Sequence, residues 1–158
     1  MVNVLFVCLG NICRSPTAHA VFAHKVAQRK LQHIIKVDSV GTAAYHINKP
    51  PDKRSQQVGK ERGYELGHLS ARQICASDFL HFDYILAMDN ANLSHLRQNC
   101  PNEHLLKLEL FLRYGGSVEE EVPDPYYGGE DGFQHVLDLV ENAADGLLEE
   151  IIKQRRLS

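Results

Sequence analysis

Cys8 closes a short, almost wholly apolar run, VNVLFVC, and five residues separate it from Arg14, which Ser15 and Pro16 follow. A helical pattern starts there, so the stretch Cys8-Leu9-Gly10-Asn11-Ile12-Cys13-Arg14-Ser15 links a strand end to a helix N-terminus. The first N–H groups of a helix have no intrahelical partner, and the aligned peptide dipoles add partial positive charge. Such a loop is an anion cradle. Gly10 and Asn11 are residue types that accept the positive φ angles of a tight cradle. The same field favours a thiolate, the nucleophilic form of cysteine. Arg14 offers a planar fork of donors suited to two oxygens of a phosphate, and Ser15 can donate a hydrogen bond to the sulfur. Nucleophile, cradle and fork together suit attack on the phosphorus of a phosphate ester.

An isolated cysteine in an apolar strand is most often a small core residue; the glycine, asparagine, arginine and Ser-Pro around Cys8 argue for chemistry instead. A nucleotide-binding P-loop is disfavoured because the Gly-Lys-Ser/Thr ending is absent. Zinc is disfavoured as well, since Cys8 and Cys13 lack a second ligand pair at usable spacing and the nine histidines are scattered. No metal or cofactor is expected.

Expelling an alkoxide or phenoxide needs a proton donor, and a positioned general acid contributes about 10²–10⁴-fold. Asp124 lies between Pro123 and Pro125, which confine it and its neighbours to extended geometry. Taken alone, Asp-Pro is a common turn with a solvated aspartate; beside the cysteine loop it is a candidate acid. Tyr126, Tyr127, Gly128 and Gly129 follow as a loop.

The elements that must position these residues alternate. VNVLFVC is a buried strand, and a helix follows through residue 31, with Pro16 in its first turn. IIKVDSVG is a second strand. Residues 50–63 form a helix that ends on Gly63. FDYILAMD is a third strand, NANLSHLRQNC a helix closed by Pro101, and HLLKLELFL a fourth strand running into a short helix. Residues 128–154 form the last helix, with an apolar stripe from Phe133 to Ile152. The pattern predicts an α/β fold, a four-stranded parallel sheet flanked by helices on both faces, with right-handed crossovers. Ligands in such folds sit beyond the carboxyl ends of strands, and Cys8 is at one.

The chain has 158 residues, which predicts a single domain, residues 1–158, able to bury a sizeable core without staples. A net charge of −3 argues against nucleic acid or a membrane surface as partner. No apolar run approaches the ~20 residues of a membrane helix, and Val4 to Leu9 is too short for a signal-peptide core. A cytoplasmic location is expected, and there Cys8, Cys13, Cys75 and Cys100 are thiols.

VCLGNICRSPTAHAVF resembles the phosphate-binding loop of the low-molecular-weight protein tyrosine phosphatases, and VPDPYYGG resembles that family's second signature. VDSVGT, NKPPD, SARQI and FDYILAMD match its intervening segments in order. The resemblance implies phosphotyrosine hydrolysis through a phosphocysteine, with Cys8 as nucleophile and Arg14 as phosphate ligand. By the same resemblance Asp124 protonates the leaving phenol and then acts as base in hydrolysis. Tyr126 and Tyr127 become pocket-rim residues, Tyr45 an aromatic wall, and Asp89 a residue bordering the site, although a helix N-cap is an equal reading for Asp89. Asn11, Ser39 and His68 resemble a network that props the loop with Ser15. Cys13 matches a second loop cysteine able to trap oxidised Cys8 as a disulfide. Phosphotyrosine-containing proteins are the implied partners, and a monomer is expected.

Three other functions stay in view. An arsenate reductase would use a similar loop but needs two further cysteines close together, and Cys75 and Cys100 are far apart in sequence. An anion-binding module would tend to lose the nucleophile or the acid. A redox sensor built on Cys8 and Cys13 could coexist with catalysis.

Overall fold

The computed structural model describes residues 1–126 and 130–157. Four parallel strands, β1 (Val2–Cys8), β2 (Ile35–Gly41), β3 (Tyr84–Ala87) and β4 (Leu108–Leu110), form one sheet in the order β2-β1-β3-β4. β1 is central. It pairs with β2 from Val2↔Ile35 to Cys8↔Gly41 and with β3 from Val4↔Tyr84 to Val7↔Ala87. A strand covered on both faces has to be apolar throughout rather than alternating, which is why VNVLFVC contains so few polar residues.

Successive β1 side chains enter two cores. Val4 and Phe6 pack with Phe22, Phe111, Leu137 and Leu147 on the face covered by α1 (Arg14–Gln28) and α5 (Glu130–Arg155). The ring of Phe6 meets those of Phe22 and Phe111 edge-on, with centroids 5.7 and 4.9 Å away. Leu5 and Val7 pack with Phe79, Leu93 and Leu96 on the opposite face, under α3 (Ala76–His81) and α4 (Asn90–Asn99). α2 (Lys53–Glu61) lies against α5. The expected sheet with helices on both faces is therefore present.

Three boundaries differ from expectation. α1 starts at Arg14 with Pro16 in its first turn, as expected, but ends at Gln28 rather than at residue 31. α3 was not anticipated: its six residues are too few for a periodic signal, and a capping arrangement between Cys75 and Asp78 starts it. The fourth strand shrinks to Leu108–Leu110, between 3₁₀ turns at Asn102–Lys107 and Phe111–Tyr114.

The strand order creates the site. From β1 the chain goes to β2 on one side, then crosses to β3 on the other, so the carboxyl ends of β1 and β3 flank a crevice. The Cys8 loop leaves β1 there, and Met88-Asp89 leave β3. Val122 N–H donates to the Met88 carbonyl at 2.7 Å, bringing the Asp124 segment to the same place.

Candidate active site

The loop is held from outside by its carbonyls. Those of Cys8 and Leu9 accept from the N–H groups of Thr42 and Ala43, at 2.9 and 3.0 Å, and that of Ile12 accepts from Asp52 at 2.7 Å. The Cys13 carbonyl accepts from the hydroxyl of Thr17 at 2.7 Å. With the carbonyls turned outward, the N–H groups of Gly10, Ile12, Cys13 and Arg14 find no partner within the described protein. These donors are free for an anion.

Asn11 takes the left-handed conformation, φ 57°. Gly10 is needed for a different reason than expected: a Cβ there would stand 2.9 Å from Cδ2 of His46. Gly41 is held more strictly, since a Cβ there would meet backbone, the Leu9 carbonyl oxygen at 2.8 Å and the Ala43 carbonyl oxygen at 3.1 Å.

Cys8 is 2 % exposed at the floor of this loop. Its Sγ accepts from the Asn11 N–H at 3.3 Å and lies 3.0 Å from the Ser15 hydroxyl. Asn11 Nδ2 donates to that hydroxyl oxygen at 2.7 Å, so the single Ser15 hydrogen is left for Cys8 Sγ or for the Val40 carbonyl at 3.3 Å. Donors aimed at a sulfur stabilise its anion. Arg14 is 3 % exposed. Its Nη1 donates to Asp89 Oδ2 at 2.7 Å and to the Val122 carbonyl at 3.0 Å, and its Nη2 lies 3.7 Å from Asp124 Oδ2. Burial opposes the guanidinium charge, but the negative fields of Cys8, Asp89 and Asp124 outweigh it and raise its pKa.

Asp124 stands at the opposite wall with its side chain 35 % exposed, and its Oδ1 accepts from the Tyr126 N–H at 3.0 Å. Cys8, Arg14 and Asp124 line one pocket with Leu9, Gly10, Ile12, Cys13, Tyr45, His46 and Tyr126. A buried sulfur, a ring of free amides, a cation and a carboxylate facing one cavity can bind an oxyanion, attack its central atom and move a proton.

A family model described as "Low molecular weight phosphotyrosine protein phosphatase" matches residues 3–157. The low molecular weight phosphotyrosine protein phosphatase of Schizosaccharomyces pombe is 47% identical over 134 residues, 84% of this chain and 85% of its own. The chain belongs to this family. Members are protein-tyrosine-phosphatases, phosphoric monoester hydrolases, and so is this protein. A solved protein tyrosine phosphatase from Entamoeba histolytica superposes with a TM-score of 0.95 at 41% identity, covering 98% of this chain and 99% of that one. A solved Drosophila arginine phosphatase is also similar, with a TM-score of 0.87 at 36% identity over 96% and 98% of the two chains.

Against the family resemblance, this phosphatase places most of the expected residues at the pocket and departs at two. Ser39 meets the imidazole of His19 at 3.0 Å, because β2 packs on α1, and the exposed His68 makes no hydrogen bond to the loop. The expected prop through Ser39 and His68 is corrected accordingly. Asn11 and Ser15 are instead supported through Arg72, whose N–H donates to Asn11 Oδ1 at 3.0 Å and whose guanidinium is clamped by Asp38 and Asp78. Burial lowers the pKa of His19, with Asp38 opposing the shift and His68 adding to it.

Asp89 turns out to do both things expected of it: it caps α4 by accepting from the Asn92 N–H at 2.8 Å, and it pairs with Arg14. Tyr45 lines the pocket but is 73 % exposed, while His46 packs inward over Gly10. Cys13 is a buried thiol whose pKa is pushed up to about 12, first by burial and then by Asp52. Tyr127 lies outside the described residues. Sequence reasoning missed His46, Gly41, Asp52 and Arg72, although Gly41, Asp52 and Arg72 stand inside VDSVGT, NKPPD and SARQI. No group of three or more His, Cys, Asp or Glu among the described residues is placed to share a metal ion, and no helix there is long and apolar enough to cross a membrane.

Proposed function

We propose that this phosphatase hydrolyses phosphotyrosine, in proteins and as aryl phosphates, through a phosphocysteine and without metal or cofactor. The observation that carries this is the arrangement of Cys8, Arg14 and Asp124 around one pocket. The phosphate oxygens sit on the free loop amides and the Arg14 fork, which stabilise charge developing on them. The Cys8 thiolate attacks phosphorus, an S–P bond forms as the O–P bond breaks, and Asp124 gives its proton to the leaving phenolate. Water then attacks the phosphocysteine, Asp124 takes its proton, and the thiolate leaves with phosphate released. Tyr126 and Tyr45, with His46, form an apolar rim for an aryl ring.

The enzyme acts as a cytoplasmic monomer in this reading. The nucleophilic Cys8 is also its oxidation-sensitive group, and the neighbouring Cys13 thiol can condense with a Cys8 sulfenic acid, expelling water and forming a disulfide.

The test is single-turnover phenol release from phosphotyrosine and from p-nitrophenyl phosphate by wild type, Cys8→Ser and Asp124→Ala. Cys8→Ser should release neither phenol. Asp124→Ala should slow phosphotyrosine by about 10²–10⁴-fold and p-nitrophenyl phosphate less, because nitrophenolate leaves more easily without a proton. Equal slowing of both would show that Asp124 is a structural loop residue. Phosphoarginine and thioredoxin-coupled arsenate reduction serve as competing reactions, and preference for either would overturn the substrate assignment.

A further inference from the structure

One side chain outside the pocket reaches the segment that carries Asp124. Arg54, at the start of α2, donates from Nη2 to the Tyr126 carbonyl at 3.1 Å. Its guanidinium carbon lies 5.6 Å from the centroid of the Tyr126 ring and 4.6 Å from that of Phe133 on α5. The same guanidinium is held in a fork by Asp52, with Nε to Oδ1 at 3.1 Å and Nη2 to Oδ2 at 3.0 Å. Asp52 is fixed in turn: it caps α2 by accepting from the Arg54 N–H at 2.8 Å, and its own N–H donates to the Ile12 carbonyl of the phosphate loop at 2.7 Å. The path therefore runs from Ile12 through Asp52 and Arg54 to Tyr126, whose N–H holds Asp124 Oδ1. Neither Asp52 nor Arg54 lines the pocket.

We propose that Arg54 is a positioning residue that keeps the Asp124 segment in register with the phosphate loop, so that the acid stands where the leaving oxygen will be. This rests on the proposed role of Asp124. A planar fork that bonds on one edge while stacking on its face is a task for arginine, and the point charge of a lysine ammonium cannot do both at once. The Arg54 side chain is 45 % exposed, and exposed ion pairs add little to stability. Its part is geometric: misplacing a reacting group by about 1 Å costs up to about 10²-fold in rate.

The test uses Arg54→Gln and Arg54→Lys, each alone and combined with Asp124→Asn, read by single-turnover phenol release and by inhibition with inorganic phosphate. Arg54→Gln should slow the phosphotyrosine step by about 10- to 10²-fold, slow p-nitrophenyl phosphate less, and leave the phosphate inhibition constant within twofold. Arg54→Lys should not rescue. In the Asp124→Asn background Arg54→Gln should add nothing, because there is no acid left to misplace. Independent, multiplying effects of the two substitutions would overturn the proposal, as would weakened phosphate inhibition with leaving-group dependence intact, which would make Arg54 a binding residue. If Asp124→Asn itself slows both substrates equally, the acid assignment fails and the proposal with it; if Asp124→Asn discriminates and Arg54→Gln does not, the proposal alone fails. Should Arg54→Gln not fold, Arg54→Lys alone decides by the same comparison.

Discussion

Replacing Asn11 by alanine tests the claim that one left-handed side chain holds the phosphate loop open. Three costs add. Losing Oδ1 leaves the half-buried Arg72 N–H without its partner, about 1 kcal/mol at the lower end for an orphaned donor. Losing Nδ2 removes a hydrogen bond to Ser15, about another 1 kcal/mol. Alanine in the left-handed region, which asparagine visits more easily, costs about 1 kcal/mol more. The sum, about 3 kcal/mol, predicts a fall in Tm of about 6–12 °C for a domain of this size. Calorimetry with and without phosphate reads it. The function should suffer in parallel, since the Ser15 hydroxyl beside Cys8 Sγ loses the donor that fixes its position. Asn11→Asp separates the effects: it keeps the left-handed preference and the acceptor for Arg72 but replaces the donor to Ser15, so it should melt above Asn11→Ala and still turn over slowly. A melting point for Asn11→Ala within ~2 °C of wild type, with unchanged phosphate inhibition, would refute the reasoning.

Two further outcomes follow from the titrating groups. Burial raises the pKa of Asp78, but Arg72 and the Cys75 N–H lower it further, for a net depression; the stabilisation is therefore present above the unfolded value of about 3.9 and is lost as pH falls through the folded one. Wild type should lose stability below about pH 4 more steeply than Asp78→Asn in urea unfolding, and parallel curves would remove the Arg72 clamp from the account. Peroxide should inactivate the enzyme and a dithiol restore it, with peptide mapping showing a Cys8–Cys13 link; recovery of Cys13→Ser as complete as wild type would discard the protective role of Cys13.

What the sequence made legible was local. The ends of β1 are legible because a strand buried on both faces is almost wholly apolar, with Asn3 alone interrupting the run. Cys8, Arg14 and Asp124 were legible because Gly, Asn and Pro beside them have few structural uses. The missed parts come from distant pairs. Arg72 reaches Asn11 across 61 residues and Arg54 reaches Tyr126 across 72, and neither spacing leaves a periodic trace. The expected Ser39–His68 prop failed for the same reason: which imidazole meets Ser39 is decided by how α1 lies on β2, and His19 was invisible as a partner while α1 was read only for its apolar stripe. Gly10 was chosen for its backbone freedom, but its role depends on where His46 packs.

Arg14 also limits what can share the pocket. Nη1 is committed to Asp89 and to the Val122 carbonyl, so an incoming phosphate meets the fork formed by Nε and Nη2, and Nη2 already faces Asp124 Oδ2 at 3.7 Å. A charged Asp124 competes with a phosphate dianion for that donor and repels it; a protonated Asp124 does neither and brings the hydrogen the leaving oxygen needs. Two unit charges about 4 Å apart interact by about 1 kcal/mol even in water, and Asp124 is only partly solvated. Asp124→Asn keeps the shape and removes the charge. It should therefore bind inorganic phosphate about fivefold more tightly at neutral pH, the equivalent of about 1 kcal/mol, while turning over more slowly. The gain should shrink as salt screens the partly exposed carboxylate. Competitive inhibition by phosphate, measured for wild type and variant at low and high ionic strength, gives both numbers. Weaker inhibition of the variant would mean that Asp124 holds the ground-state anion rather than opposing it, and that the proton it carries is spent on binding before the bond to phosphorus begins to break.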